Sequence, residues 1–424
     1  MRERIARNLR HWELWATLMN CEQVSISDVP KEMHEVATVF DLSTPKLPAF
    51  WVDRSSQDFE YLSKLAPPSF MKFLAQVHQE APSLFGESVT DTSRTLLTRM
   101  LIVHSAWTRL AKMDKATKWS EADFVANVYV CQLFCRHSKG GHRVQCTISL
   151  PTPLSTRNIT PESARVLGAK SASPDSLVML PAASIQSLSL SATSPYHILK
   201  RHLKAKQTES EGGSFRFQIT PCAVAPNEAP AFQFISSSWE DKKPVHHMLA
   251  DAYQQNRMAT TASVRHLHSL NIVAPVFGLV WAKGTVRAHV DWCGTPDGKK
   301  KPPVVYSAPY RIKGASESPD DIFHEWHLDR ASDIVKVFFL IENIDHYTMN
   351  GFQQRVVRGL NQLVDNVVKK DIPYVPWKRV GDLPVPPSIP TRPLKENNGL
   401  SAGTSSSLST PPPKARGKPQ RRSK

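Results

Sequence analysis

Ser236-Ser-Ser-Trp-Glu-Asp-Lys-Lys243, the run SSSWEDKK, decides how the middle of this 424-residue chain is read. Just upstream, Phe232, Phe234 and Ser236 alternate with Gln233 and Ile235, the period of two expected of a strand. Glu240 and Lys242 are two residues apart at the end of that run. A strand therefore points a carboxylate and an ammonium to one face. Asp241 between them points away and offers its carbonyl instead. Past Pro244 the period changes to that of a helix, expected over roughly His246 to Leu270. Leu249, Ala252, Tyr253, Ala259, Ala262, Leu267 and Leu270 lie near one side, and Gln254, Gln255, Asn256 and Arg257 form a polar band. A hairpin is expected next, with arms Val276 to Trp281 and Thr285 to Trp292 around Ala282-Lys283-Gly284. In its second arm Val286, Ala288, Val290 and Trp292 face one way, and Arg287, His289 and Asp291 the other.

Working upstream, Ser120 and Asp123 make a capping-box pattern at the start of a helix carrying Glu121 in its first turn. Phe124, Val128, Cys131 and Cys135 continue down one face of it. Arg143 to Leu150 alternates like a half-buried strand, and Ser176 to Leu180, preceded by Pro174-Asp175, reads as a second. Residues 182 to 230 are rich in Ser, Thr, Lys and Gly. They read as an insertion with a helix near Ile198 to Lys206 and a strand at Phe215 to Thr220. Residues 1 to about 110 read as a helical packing region, from Trp12, Trp15, Leu18 and Met19 through Phe70 to Val77 and Thr92 to Leu110.

Working downstream, Val335 to Ile341 is apolar enough for a buried strand or helix, and Gly351 to Lys370 reads as a helix. From 378 onward the composition offers no core. Nine prolines fall between Pro384 and Pro419, and a Ser/Thr run covers Ser401 to Thr410. Such a segment buries too little apolar area to offset the entropy of ordering, so 378–424 is expected to be a disordered basic tail. It supplies +8 of the chain's +15 net charge. Lys414, Arg416, Lys418, Arg421, Arg422 and Lys424 at its end resemble a nuclear-localisation or nucleic-acid-contacting cluster. Positive charge favours polyanions, so nucleic acid is the expected partner and the nucleus or cytoplasm the expected compartment. The longest apolar runs, such as Val337 to Ile341, are far too short for a membrane span, so no membrane partner is expected. The charged start, Met1-Arg-Glu-Arg, lacks the apolar stretch of a secretory signal. Six sparse cysteines suit reduced thiols.

Hydrolysis of a phosphodiester with a divalent metal needs two carboxylates to hold the ion and a cation to steady developing charge. An early helix Glu, a strand, a P-D strand, a strand ending in E-x-K, a long helix and a hairpin together resemble the PD-(D/E)XK nuclease superfamily. That resemblance implies an α/β, restriction-endonuclease-like mixed sheet flanked by helices, spanning 111–377, with the insertion inside it. It implies Asp175, Glu240 and Lys242 as the catalytic set. It also implies Mg²⁺ held by Asp175, Glu240 and Glu121, with Gln254 or Gln255 matching the Gln some members carry on the following helix. Arg257 in the same band is a further candidate for binding substrate. WSEADFVANVY, SSSWEDKKPVHHML and VFGLVWAKGTVRAHVDW are also similar to the region preceding the kinase in fungal-type protein kinases of mushroom-forming fungi. The His-Arg-Asp and Asp-Phe-Gly motifs of the kinase itself are missing, so phosphotransfer is not expected. Two functions follow: Mg²⁺-dependent cleavage of DNA or RNA, or a non-catalytic module that binds nucleic acid or protein.

Two other clusters read as structural. Cys131 and Cys135 fit the apolar face of their helix, and with His137, His142 and Cys146 they lack the paired spacing of a zinc knuckle. His324-Glu-Trp-His-Leu-Asp329 is not H-E-x-x-H, so metalloprotease chemistry is not expected.

Overall fold

The computed structural model describes residues 5–87, 94–113, 119–127, 140–153, 160–161, 164, 168–203, 219–220, 233–242, 249–282, 284–294, 302–311, 322–372 and 377. The tail at 378–424 with its Lys/Arg cluster, most of 204–232, and Cys131, Cys135 and His137 lie outside this set. Among the described residues no helix is long and apolar enough to cross a membrane.

The main sheet has eight strands: β1 (Cys21–Gln23), β2 (Gly141–Val144), β3 (Ser176–Met179), β4 (Ile235–Lys242), β5 (Val276–Ala282), β6 (Thr285–Gly294), β7 (Val304–Pro309) and β8 (Glu325–His327). Across the sheet their order is β1-β7-β6-β5-β4-β3-β2, with β8 beside the start of β6. The pairs β1/β7 and β4/β5 are parallel and the others antiparallel. The principal helices are α1 (Leu9–Leu18), α2 (Pro68–Glu80), α3 (Arg94–Met113), α4 (Glu121–Asn127), α5 (Leu249–Ser269), α6 (Ala331–Tyr347) and α7 (Gln353–Val364). The chain is thus mixed α/β, with helices against both faces of a mixed sheet.

From α4 onward the main-sheet order is helix, three antiparallel strands (β2, β3, β4), the crossover helix α5, then β5 parallel to β4, with Thr147–Ser149 and Ser171–Ala172 falling between β2 and β3 and helix Pro195–Arg201 between β3 and β4. A parallel neighbour requires such a crossover, whereas β5 and β6 need only a tight turn, in which Gly284 takes φ +75°. Ser120 caps α4 as its spacing predicts: its hydroxyl accepts from Asp123 N–H at 3.2 Å while Asp123 Oδ2 accepts from Ser120 N–H at 2.8 Å.

One face of the sheet carries the large core. Trp239, Phe277, Leu279, Trp281 and Val286 meet Phe70, Phe73, Met100, Val103, Phe338 and Leu360 from α2, α3, α6 and α7. Each fully buried aromatic there contributes about 2–3 kcal/mol through removal from water. The opposite face packs on α5. Beyond α5 lies a second cluster in which Trp12 and Trp15 of α1 meet Met258, Ala259 and Ala262.

Several expectations are refined. Residues 1–110 are not purely helical, because Cys21–Gln23 joins the main sheet as an edge strand, Cys21 opposite Val305. Apolar side chains of this region, Met33, Val36 and Phe73 among them, belong to the same core as the sheet. The alternating stretch 143–150 is two strands. Gln145 sits at φ +50° and donates its N–H to the Asp175 carbonyl, and Thr147–Ser149 pairs into a separate small sheet. Within the first part of the expected insertion, Ile185, Leu188 and Leu199 are buried in the main core. The helix expected over 351–370 is α7, flanked by π-helical turns at Thr348–Phe352 and Asp365–Lys369.

Candidate active site at the carboxyl ends of β4 and β5

Strand alternation places Ser238, Glu240 and Lys242 on one face of β4 and Trp239 and Asp241 on the other. Trp239 packs toward Trp281 in the main core, so the Glu240 face is the one covered by α5. Val280, opposite Glu240 on β5, confirms this by packing on Ala252 and Tyr253 of α5. On the other side of β4 the register sets Ser176 opposite Trp239, which brings Asp175 beside Glu240. Asp175 is tied there twice. Its N–H donates to the Trp239 carbonyl at 3.0 Å, and its Oδ2 accepts the Asp241 N–H at 2.7 Å. The P-D acid thus clasps the peptide that follows Glu240, although 65 residues separate the two in sequence.

Glu240 is fully buried, and Lys242 Nζ donates to its Oε1 at 2.6 Å. Burying a carboxylate is costly unless it is paired and hydrogen-bonded, and the neighbouring ammonium supplies that pairing. No family model and no curated protein matches the chain. The site is therefore read from its own geometry.

Two rungs of side chains cross the sheet on this face. The first runs from Asp175 through Glu240 and Val280 to Arg287 and Glu325. The second runs from Lys242 through Ala282 and Thr285 to His327. Among the described residues no group of three or more His, Cys, Asp and Glu side chains is set to hold a metal ion. The carboxylates brought to neighbouring positions by the register are those of Asp175 and Glu240. The side chain of Glu121 lies outside the described residues, as do His246 and His247.

The polar band of α5 does not act as one unit. Asn256 turns to the sheet, its Nδ2 donating to Ser238 O at 2.9 Å and Leu279 O at 3.4 Å. Gln255 is almost fully buried, and Gln254 is 9% exposed. Arg257 points to the far edge of the sheet: Nη2 donates to Glu22 O at 3.3 Å, and its guanidinium lies 5.5 Å from the Trp12 ring and 5.6 Å from the Tyr253 ring. The structure thus joins Asp175, Glu240 and Lys242 and sets Arg257 against β1.

Behind the site lies a buried polar network that sequence reasoning did not assemble. His289 Nδ1 is hydrogen-bonded with Asp291 Oδ1 at 2.8 Å, and Nε2 lies 2.7 Å from Asn256 Oδ1. The Asn256 amide is oriented by its two carbonyl contacts. Thr260 of α5 donates to Asp291 Oδ2, and Tyr253 OH lies 3.1 Å from Ser307 Oγ. Burial alone pushes the Asp291 carboxyl up. The charge of His289 and its hydrogen bond outweigh that and hold it below the ordinary carboxylate value. The alternation of Arg287, His289 and Asp291 was the available signal. It showed a shared face, but not that a helix buries it.

Proposed function

We propose that the chain is a nuclease-like protein of the PD-(D/E)XK type that cleaves phosphodiester bonds in DNA or RNA with a divalent cation. The observation that carries this reading is the clasp of Asp175 on the peptide between Glu240 and Asp241, with Lys242 bonded to Glu240. The order helix, three-strand meander, crossover helix and parallel strand supports it, as does the basic charge of the chain.

Mg²⁺ favours a few hard oxygens and keeps several waters. Asp175, Glu240 and the Asp241 carbonyl fit that demand in kind, since all are hard oxygen donors. Such an ion, when bound, would acidify water and neutralise phosphate charge. The protein's own part is to hold these oxygens through the β3/β4 register. Lys242 pairs with the buried Glu240 and would place an ammonium where negative charge builds on the phosphate. The low-dielectric setting under α5 strengthens both effects.

The test is cleavage of labelled DNA and RNA by the purified chain with Mg²⁺ and with EDTA. Glu240→Gln and Asp175→Asn keep shape and should each lower the rate about 100-fold or more, with the unfolding midpoint near wild type. Cleavage by both variants at the wild-type rate ends the catalytic reading. Salt-dependent binding without cleavage by wild type supports instead the non-catalytic module related to the kinase-preceding regions.

A further inference from the structure

We infer that Arg287 is a nucleic-acid phosphate contact of this site and that Glu325 holds it in reserve. The inference rests on the proposed function and extends the site along its first rung, past Val280.

Register places Arg287 two strands from Glu240 on the same α5-facing side, on the order of 10 Å away at about 4.8 Å per strand. Val280 between them is small, buried and packed on α5. It separates the acidic end of the rung from the cationic end, and Ala252, Tyr253 and Phe323 pack over it. Arg287 and Glu325 are the partly exposed part of the rung, their side chains 24% and 27% accessible, whereas Glu240 is closed off. A nucleic-acid backbone passing the carboxyl ends of β4 and β5 therefore reaches the guanidinium at the open end of the rung.

The way Arg287 is held leaves part of its guanidinium unengaged. Arg355, by comparison, forks both oxygens of Glu35 and reaches two carbonyls besides. Arg287 makes one described contact, Nη2 to Glu325 Oε2 at 2.9 Å. Its Nε is buried and has no partner among the described residues. The guanidinium packs over Phe323, 5.6 Å from the ring centre, which fixes its plane and not its donors. A planar fork with unused donors matches a phosphate. Glu325 meanwhile is drawn both ways. Burial pushes its carboxyl up, but contacts from Thr285 and Arg287 and the charge of His327 bring it below the ordinary value. It thus stands as an anion that competes with phosphate for Arg287.

The experiment measures binding of a labelled DNA duplex, its single strand and the RNA of the same sequence to the full chain over a salt series, in EDTA so that cleavage is silent. Arg287→Ala should weaken binding about tenfold and reduce the slope of log K against log salt by about one. Glu325→Gln should tighten binding several-fold. Glu60→Gln removes an exposed acid on the separate helix Gln57–Leu65 and should leave binding unchanged, which controls for bulk charge. A merely structural pair predicts lower unfolding midpoints for Arg287→Ala and Glu325→Gln with one common affinity and slope, and that result overturns the inference while leaving the proposed function standing. No salt-dependent binding by wild type to any probe overturns both. Preference among the three probes names the polymer.

Discussion

A methyl carbon added at Gly278 would lie 1.9 Å from His289 Nε2 and 2.3 Å from Asn256 Oδ1. No real side chain tolerates that, so glycine is what allows the Asn256–His289 pair to lie flat on β5. Asn256 in turn ties α5 to Ser238 and Leu279, on the two parallel strands that carry Glu240 and Val280. Gly278→Ala must therefore either push the strand or break a fully satisfied buried network. We expect a loss of about 3 kcal/mol in denaturant unfolding, from overpacking plus the stranded polar groups. An unchanged midpoint would show that the network yields easily and does not fix α5. Glycine 278 was legible only as one more residue of an apolar arm, because its role depends on what α5 and β6 place against it.

Elements are locked to one another by a small number of multiply bonded side chains. Arg355 on α7 donates Nε and Nη2 to the two oxygens of Glu35 at 2.8 and 2.7 Å and also bonds the carbonyls of Val273 and Glu32. One residue thus joins α7, the loop before β5 and the N-terminal region. Burial pushes the Glu35 carboxyl up, but the Arg355 fork prevails and holds it below the ordinary value. A depressed carboxyl contributes stability that is complete above its unfolded value and is lost as pH falls through the folded one. Arg355→Met should therefore cost about 3 kcal/mol near neutrality, and the gap to wild type should narrow as pH falls below about 4.5. Unfolding curves from pH 7 to pH 3 check this, and a gap that stays constant would contradict it. Local patterns made most of these elements legible: the Ser120 cap, the period-two arms of β5 and β6, and the long helix after β4. The split at Gln145 was not, because nothing in RVQCTISL shows that one residue turns to φ +50° and sends the chain to another sheet.

Over the whole molecule the candidate site draws on residues from 175 to 327, and strand register brings its parts together. Asp175, Glu240 and Lys242 were readable because strand alternation and a short motif place them. Burial of α5 was not readable. Gln255, Asn256, Thr260 and His266 would mark a solvated face on an isolated helix, yet all are buried here between the sheet and the α1 cluster. Sequence shows the polarity of a side chain, whereas layers contributed from distant segments, α1 among them, decide whether water reaches it. The central claim is that Asp175 and Glu240 share one cation. Mn²⁺ titration of the full chain, followed by electron paramagnetic resonance, tests this most directly. The account predicts one Mn²⁺ per chain, displaced by Mg²⁺, with affinity at least about tenfold weaker in the Asp175→Asn/Glu240→Gln double variant at an unchanged unfolding midpoint. Equal Mn²⁺ affinity in the double variant and wild type would contradict it.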